Sequence, residues 1–108
     1  MQHAQLAAGK WYDLSIFQQM ANIGSEVERT IKWKKKGNKD FSLLAFERAI
    51  ELLDLSIGDK KNRSRLKELL RVREMLADFF LFKNEYGSSN EQWQKYFYCF
   101  NYAARRNT

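Results

Sequence analysis

Apolar residues recur three and four positions apart in four successive stretches of this chain, and no proline interrupts any of them. That spacing marks an amphipathic α-helix, because 3.6 residues per turn bring positions i, i+3, i+4 and i+7 onto one face. In the first stretch the stripe is Ile16, Met20, Ile23, Val27 and Ile31. In the second it is Leu43, Phe46, Ile50, Leu53 and Ile57, with Ala45 and Ala49 on an adjacent strip where another helix fits closely. Leu66, Leu69, Val72, Leu76 and Phe79 continue the pattern, and Trp93, Phe97, Phe100 and Ala104 close it.

The punctuation between stretches agrees. Gly37 and Gly58 suit helix ends, and Asn84 to Ser89 is a turn signal. Asn38 or Asp40 can cap the second helix, and Ser88 with Glu91 or Ser89 with Gln92 has capping-box spacing before the fourth. Gly24 is the exception. A glycine inside a helix costs about 1 kcal/mol relative to alanine, so it predicts either a close neighbour or a kink. The pattern predicts helices over residues 6–36, 40–57, 64–83 and 90–105, in a single domain covering 1–108. Long helices joined by short turns pack as antiparallel neighbours. The expected fold is therefore all-α, an antiparallel up-and-down four-helix bundle.

Charge is the next constraint. The formal net charge is +6, which favours an anionic partner. Arg29, Lys32, Trp33, Lys34, Lys35 and Lys36 gather near the end of the first helix, and Arg63, Lys67 and Arg71 repeat every four residues in the third. Such cations can follow a phosphate backbone, and tryptophan or arginine can stack on bases, so these nine residues are the expected nucleic-acid contacts. Aromatic residues make up 15% of the chain, more than one helical core face absorbs. Phe82, Trp93, Tyr96, Tyr98 and Tyr102 are accordingly expected at a protein interface, where Trp and Tyr are enriched.

Little else in the sequence carries chemistry. His3 is the one histidine, in a stretch before Trp11 that is expected to fray, and no second histidine pairs with it. Cys99 is the one cysteine, expected to be buried between Tyr98 and Phe100. Glu47, Glu51 and Asp54 share a helical face and read as solvated or salt-bridged carboxylates. Nucleotide-binding, zinc-protease and nucleophile-elbow motifs are missing. No catalytic residue, cofactor or metal is therefore expected. No 18-residue apolar run and no secretory leader pattern is seen, so the expected location is the cytoplasm, with no membrane partner.

The stretch SEVERTIKWKKKGNKDFSLLAFERAIELLDLSI, residues 25–57, resembles the opening helical hairpin of HEPN-domain proteins. The resemblance implies a small helical bundle, often dimeric, partnered with a minimal nucleotidyltransferase or acting as an RNase. The ribonuclease members carry an arginine followed closely by histidine on a late helix. Here Arg71, Arg73, Arg105 and Arg106 have no histidine after them, which argues against that cleavage. The same stretch resembles one tetratricopeptide unit, through Trp33, Gly37 and Ala49, without a second copy. In size, charge and helix count the chain is also similar to the four-helix accessory proteins of diversity-generating retroelements. Those oligomerise and bind a reverse transcriptase and its RNA.

Together these readings lead to a non-catalytic basic bundle that self-associates. It would bind RNA, single-stranded DNA or a nucleic-acid-processing enzyme. A HEPN-like toxin or antitoxin component, an atypical RNase, and a protein–protein adaptor with incidental charge are the alternatives.

Overall fold

Ser15 decides where the first long helix begins. In the computed structural model, which describes residues 9–106, its hydroxyl accepts from the Gln18 N–H at 3.1 Å. The Gln18 side chain answers by accepting from the Ser15 N–H at 2.9 Å. This reciprocal capping box opens α1, Ile16–Lys35. The single helix expected from residue 6 is thus broken at 14–15, and residues 9–13 form a separate short helical turn. Residues 1–8, with His3 and most of the expected fraying stretch, lie outside the described residues. At its other end α1 stops at Gly37, whose φ of +79° is the left-handed conformation glycine adopts without strain.

Asn38 then caps α2, Lys39–Ile57, by accepting from the Phe41 N–H at 3.0 Å. A 3₁₀ helix, Lys60–Arg65, follows and leads into α3, Leu66–Leu81. The expected start of the third helix at residue 64 falls within this tighter turn, which Asp59 caps by accepting from the Lys61 N–H. A loop held by the Asp78 carboxylate, which accepts from the Glu85 and Tyr86 N–H groups, turns the chain into α4, Asn90–Arg106. Ser89 and Gln92 supply the capping box there. The described residues are helical with four long helices, and no strand occurs among them.

α1 is the central element. α2 and α4 both lie along it, and α3 packs mainly on α2. The expected α1 stripe is the core, with Met20, Ile23, Val27 and Ile31 buried and Ile16 packed at the edge. In α2 the buried face is rotated from the expected one. Phe46 and Leu53 are inside and Ile50 and Ile57 half-buried, but Leu43 and Leu44 are exposed, while Ala45, Ala49 and Ser56 are fully buried. Small side chains let α1 and α2 approach closely, and Ser42 and Ser56 donate to the Thr30 carbonyl and the Gln19 side chain of α1, with Phe46, Leu52 and Leu53 buried alongside. Cys99 is exposed, contrary to expectation, with its thiol 3.6 Å from the Lys95 carbonyl. One position from Phe100 on a helix is about 100° around it, so a neighbour's burial does not transfer.

Gly24 records a close approach and no kink. A Cβ added there would stand 2.7 Å from Phe97 Cβ, so the absent side chain makes the room that Phe97 of α4 occupies.

The interior also contains a polar knot at one end. Gln19 is fully buried. Its amide donates to the Trp11 carbonyl at 3.0 Å and to Asp59 Oδ2 at 2.8 Å. Its Oε1 accepts from the Ser56 hydroxyl and from Asn62 Nδ2, both at 2.8 Å. Trp11 Nε1 in turn donates to Ser56 Oγ at 3.0 Å, which ties the N-terminal turn to α2. Burial by itself would raise the pKa of Asp59, but hydrogen bonds from the Lys61 ammonium, Gln19 and the Lys61 N–H outweigh it and hold the carboxyl below its ordinary value. A carboxyl depressed in the folded state stabilises above its unfolded pKa, and that contribution is lost as pH falls through the folded one. Wild type is therefore expected to lose urea resistance more steeply than Asp59→Asn as pH is lowered below about 4. Parallel losses would show that Asp59 contributes nothing.

Candidate nucleic-acid interface

The lysines at the end of α1 occupy a helix C-terminus, where the partial negative charge of unpaired carbonyls favours cations by about 0.3–1 kcal/mol. Their side chains do different things. Lys34 reaches across to α3 and sits 5.3 Å from the Phe79 ring centre and 5.5 Å from that of Phe80. Its charge is thereby held over the edge of the core. Lys36 covers the Trp33 ring at 5.2 Å, and Trp33 meets Phe41 edge-on at 4.9 Å. Arg29 is bonded to Glu26 at 2.7 Å, and Arg48 approaches the same carboxylate at 3.4 Å. Lys32 and Lys35 are exposed and form no ion pair among the described residues.

Lys39 is in the same condition and is a cation that the sequence reading left out of the site. It lies just beyond the Gly37 turn as the first residue of α2, and its place in the run Lys32–Lys39 was the available signal. Phe41, whose ring meets Trp33 at this junction, is 48% exposed, enough to offer a face to a flat ligand. Thus the junction of α1 and α2 carries five lysines without an ion pair among the described residues: Lys34 and Lys36 lie over aromatic rings, and Lys32, Lys35 and Lys39 have no such contact.

The second basic zone is elsewhere. Gln19, near the start of α1, touches Asp59 and Asn62, whereas Lys34, near its end, touches Phe79 and Phe80. Fifteen helical residues separate those positions, or about 22 Å. Arg63 in the 3₁₀ turn is therefore remote from Lys32–Lys39 in a molecule 35 Å long. Arg63 and Lys67 are exposed without ion pairs among the described residues, and Arg71 lies over the Tyr86 ring at 5.9 Å. The nine expected contacts consequently form two sites.

The expected protein-interface rings divide as well. Trp93 is 5% exposed and packs with Phe97 in the interior of this chain, with no hydrogen-bond partner at Nε1. Tyr96 is half-buried and donates its hydroxyl to Glu68 at 2.7 Å. Burial, and then that carboxylate, push its phenol well above the usual range. Both belong to the core layer that Gly24 makes possible. Phe82, Tyr98 and Tyr102 are exposed. Among the described residues no group of three His, Cys, Asp or Glu side chains is placed to hold a metal ion, and no helix is long and apolar enough to cross a membrane. No protein-family model, curated protein or solved structure matches the chain.

Proposed function

We propose that this chain is a non-catalytic, cytoplasmic helical bundle, up-and-down in arrangement, that self-associates and holds a nucleic acid or a nucleic-acid-processing enzyme. The binding surface is the α1–α2 junction. The observation that carries this reading is the set Lys32, Lys35 and Lys39, exposed and without anionic partners among the described residues, at the junction that also exposes Phe41. Phosphate oxygens would meet the ammonium groups, and a base would stack on the ring. Since no recognition motif accompanies the patch, binding is electrostatic and weakly selective, and single-stranded RNA or DNA fits it best. The HEPN-like toxin or RNase alternative has no arginine–histidine pair to rest on, because His3 is the only histidine in the sequence.

Changing Lys32, Lys35 and Lys39 together to Gln is expected to weaken binding of a labelled single-stranded oligonucleotide. Each phosphate contact contributes a slope of about −0.7 in log K against log salt, so the triple variant should flatten the slope by up to about 2. Arg29→Gln with Lys34→Gln should do less, since those charges are already engaged within the chain. Equal binding by wild type and the triple variant at every salt concentration removes this patch. No binding by wild type at low salt leaves the adaptor reading, with Phe82, Tyr98 and Tyr102 as contacts.

A further inference from the structure

The outward face of α3 is divided by charge along its length. Lys67 and Arg71 occupy the first half, and Glu74 and Asp78, which also accept hydrogen bonds from the Tyr86 hydroxyl and from the Glu85 and Tyr86 N–H groups of this chain, continue the same stripe through the second. Beside them runs an apolar stripe that is not covered by this chain: Leu66, Leu70 and Leu81 are 36%, 48% and 51% exposed. The buried residues of α3, Leu69, Val72 and Leu76, lie about 120° around the helix from it, toward α2. A helix with a second apolar stripe flanking its core face has a surface for another helix.

The charge order identifies that helix. Turned end for end about a two-fold axis near Arg73, a second α3 brings Lys67 opposite Asp78 and Arg71 opposite Glu74. With the axis at Arg73, those charge pairs and the apolar pairs Leu66–Leu81 and Leu70–Ala77 all lie about one residue, or about 1.5 Å along the helix, from direct opposition. Arg73 at the axis is no obstacle, because Asp54 already neutralises it through a 2.7 Å hydrogen bond within the chain. Two-fold association requires a self-complementary patch, and this stripe is one. We infer that two copies of this chain associate through antiparallel α3 helices. The inference rests on the self-association proposed above and assigns it a surface other than the rings of α4. A 16-residue helix is about 24 Å long, less than a standard interface of about 800 Å² per partner requires. The neighbouring Phe82 and Tyr86, 73% and 45% exposed, extend the contact, and the dimer is expected to be of about micromolar strength.

Sedimentation equilibrium of the full chain and two single charge reversals tests this. Arg71→Glu places like charges across the axis, as does Glu74→Lys, and each is expected to weaken the dimer about tenfold or more. Mixed one to one, the two variants restore opposite charges in both contacts, and a heterodimer should form within about threefold of wild-type affinity. Circular dichroism of each variant checks that the helices persist, and Leu70→Glu, at a half-exposed position, is a third variant that should be monomeric. Rescue in the mixture together with loss in each single variant supports the assignment. A wild-type dimer that all three substitutions leave intact overturns the α3 surface while keeping self-association. A wild-type monomer at all concentrations up to about 0.5 mM overturns both.

Discussion

Replacing Gln19 with alanine is expected to cost about 3–5 kcal/mol, a large part of the 5–15 kcal/mol that stabilises a typical domain. The reason is what stays behind. Ser56 and Asn62 lose their shared acceptor, and the Trp11 carbonyl and Asp59 lose a donor, all at a site sealed from water. Each buried polar group left unsatisfied costs about 1–3 kcal/mol. Gln19→Leu should be nearly as harmful despite filling the volume. Combining it with Ser56→Ala and Asn62→Leu should recover only part of the loss, since the Trp11 indole N–H then loses the Ser56 hydroxyl and the Trp11 carbonyl and Asp59 still lack the Gln19 amide. Urea denaturation of the three proteins measures this. A single Gln19→Ala variant within about 1 kcal/mol of wild type means the knot contributes little.

Gly24 offers the second large effect, with an unusual sign. An alanine in an open helix interior gains about 1 kcal/mol over glycine. Here the new methyl group would meet Phe97 Cβ at 2.7 Å and Cγ at 2.9 Å, the rigid root of that side chain. Overpacking of this kind costs about 1–3 kcal/mol, so Gly24→Ala is expected to destabilise and Gly24→Val, by about 3 kcal/mol or more, to loosen α4 from α1. Gly58→Ala is the contrasting case. Its φ is −79° and the added Cβ would lie at ordinary contact distances, 3.6 and 3.7 Å. That variant should match or slightly exceed wild type in thermal melting. A Gly24→Ala protein that melts higher than wild type would mean α4 shifts without cost.

The contrast between α1 and α2 explains what was legible in the sequence. In α1 the large apolar residues are also the buried ones, so periodicity alone located the core. In α2 the strip of Ala45 and Ala49, read from the sequence as a place of close approach, is fully buried, whereas the stripe of bulky side chains beside it points a few tens of degrees away and leaves Leu43 exposed. The break before α1 was written in Ser15 and Gln18, but an apolar run on both sides masked it. Cys99 went wrong because flanking aromatic residues say little about a helical position between them. For the site, the positions of the cations were readable and their engagement was not. Nothing near Lys34 in sequence announces Phe79 and Phe80, and nothing near Arg73 announces Asp54. Those pairings are properties of the tertiary fold, which brings distant helices to the charge.

The pairing of α1 with both α2 and α4 sets an order of assembly. α1 and α2 are joined by the short turn at Gly37, so their docking closes a small loop, a step of well under a millisecond in comparable chains. α4 is the last helix of the chain, so Phe97 can enter the notch at Gly24 only after α2 and α3 have been made. Until it does, the hydrophobic flank of α1 and the rings of α4 both face solvent. During synthesis that flank stays open from the moment α1 leaves the ribosome until α4 has followed it. The interval is governed by translation speed, and in it the chain is most exposed to chaperones and to its own unfinished copies.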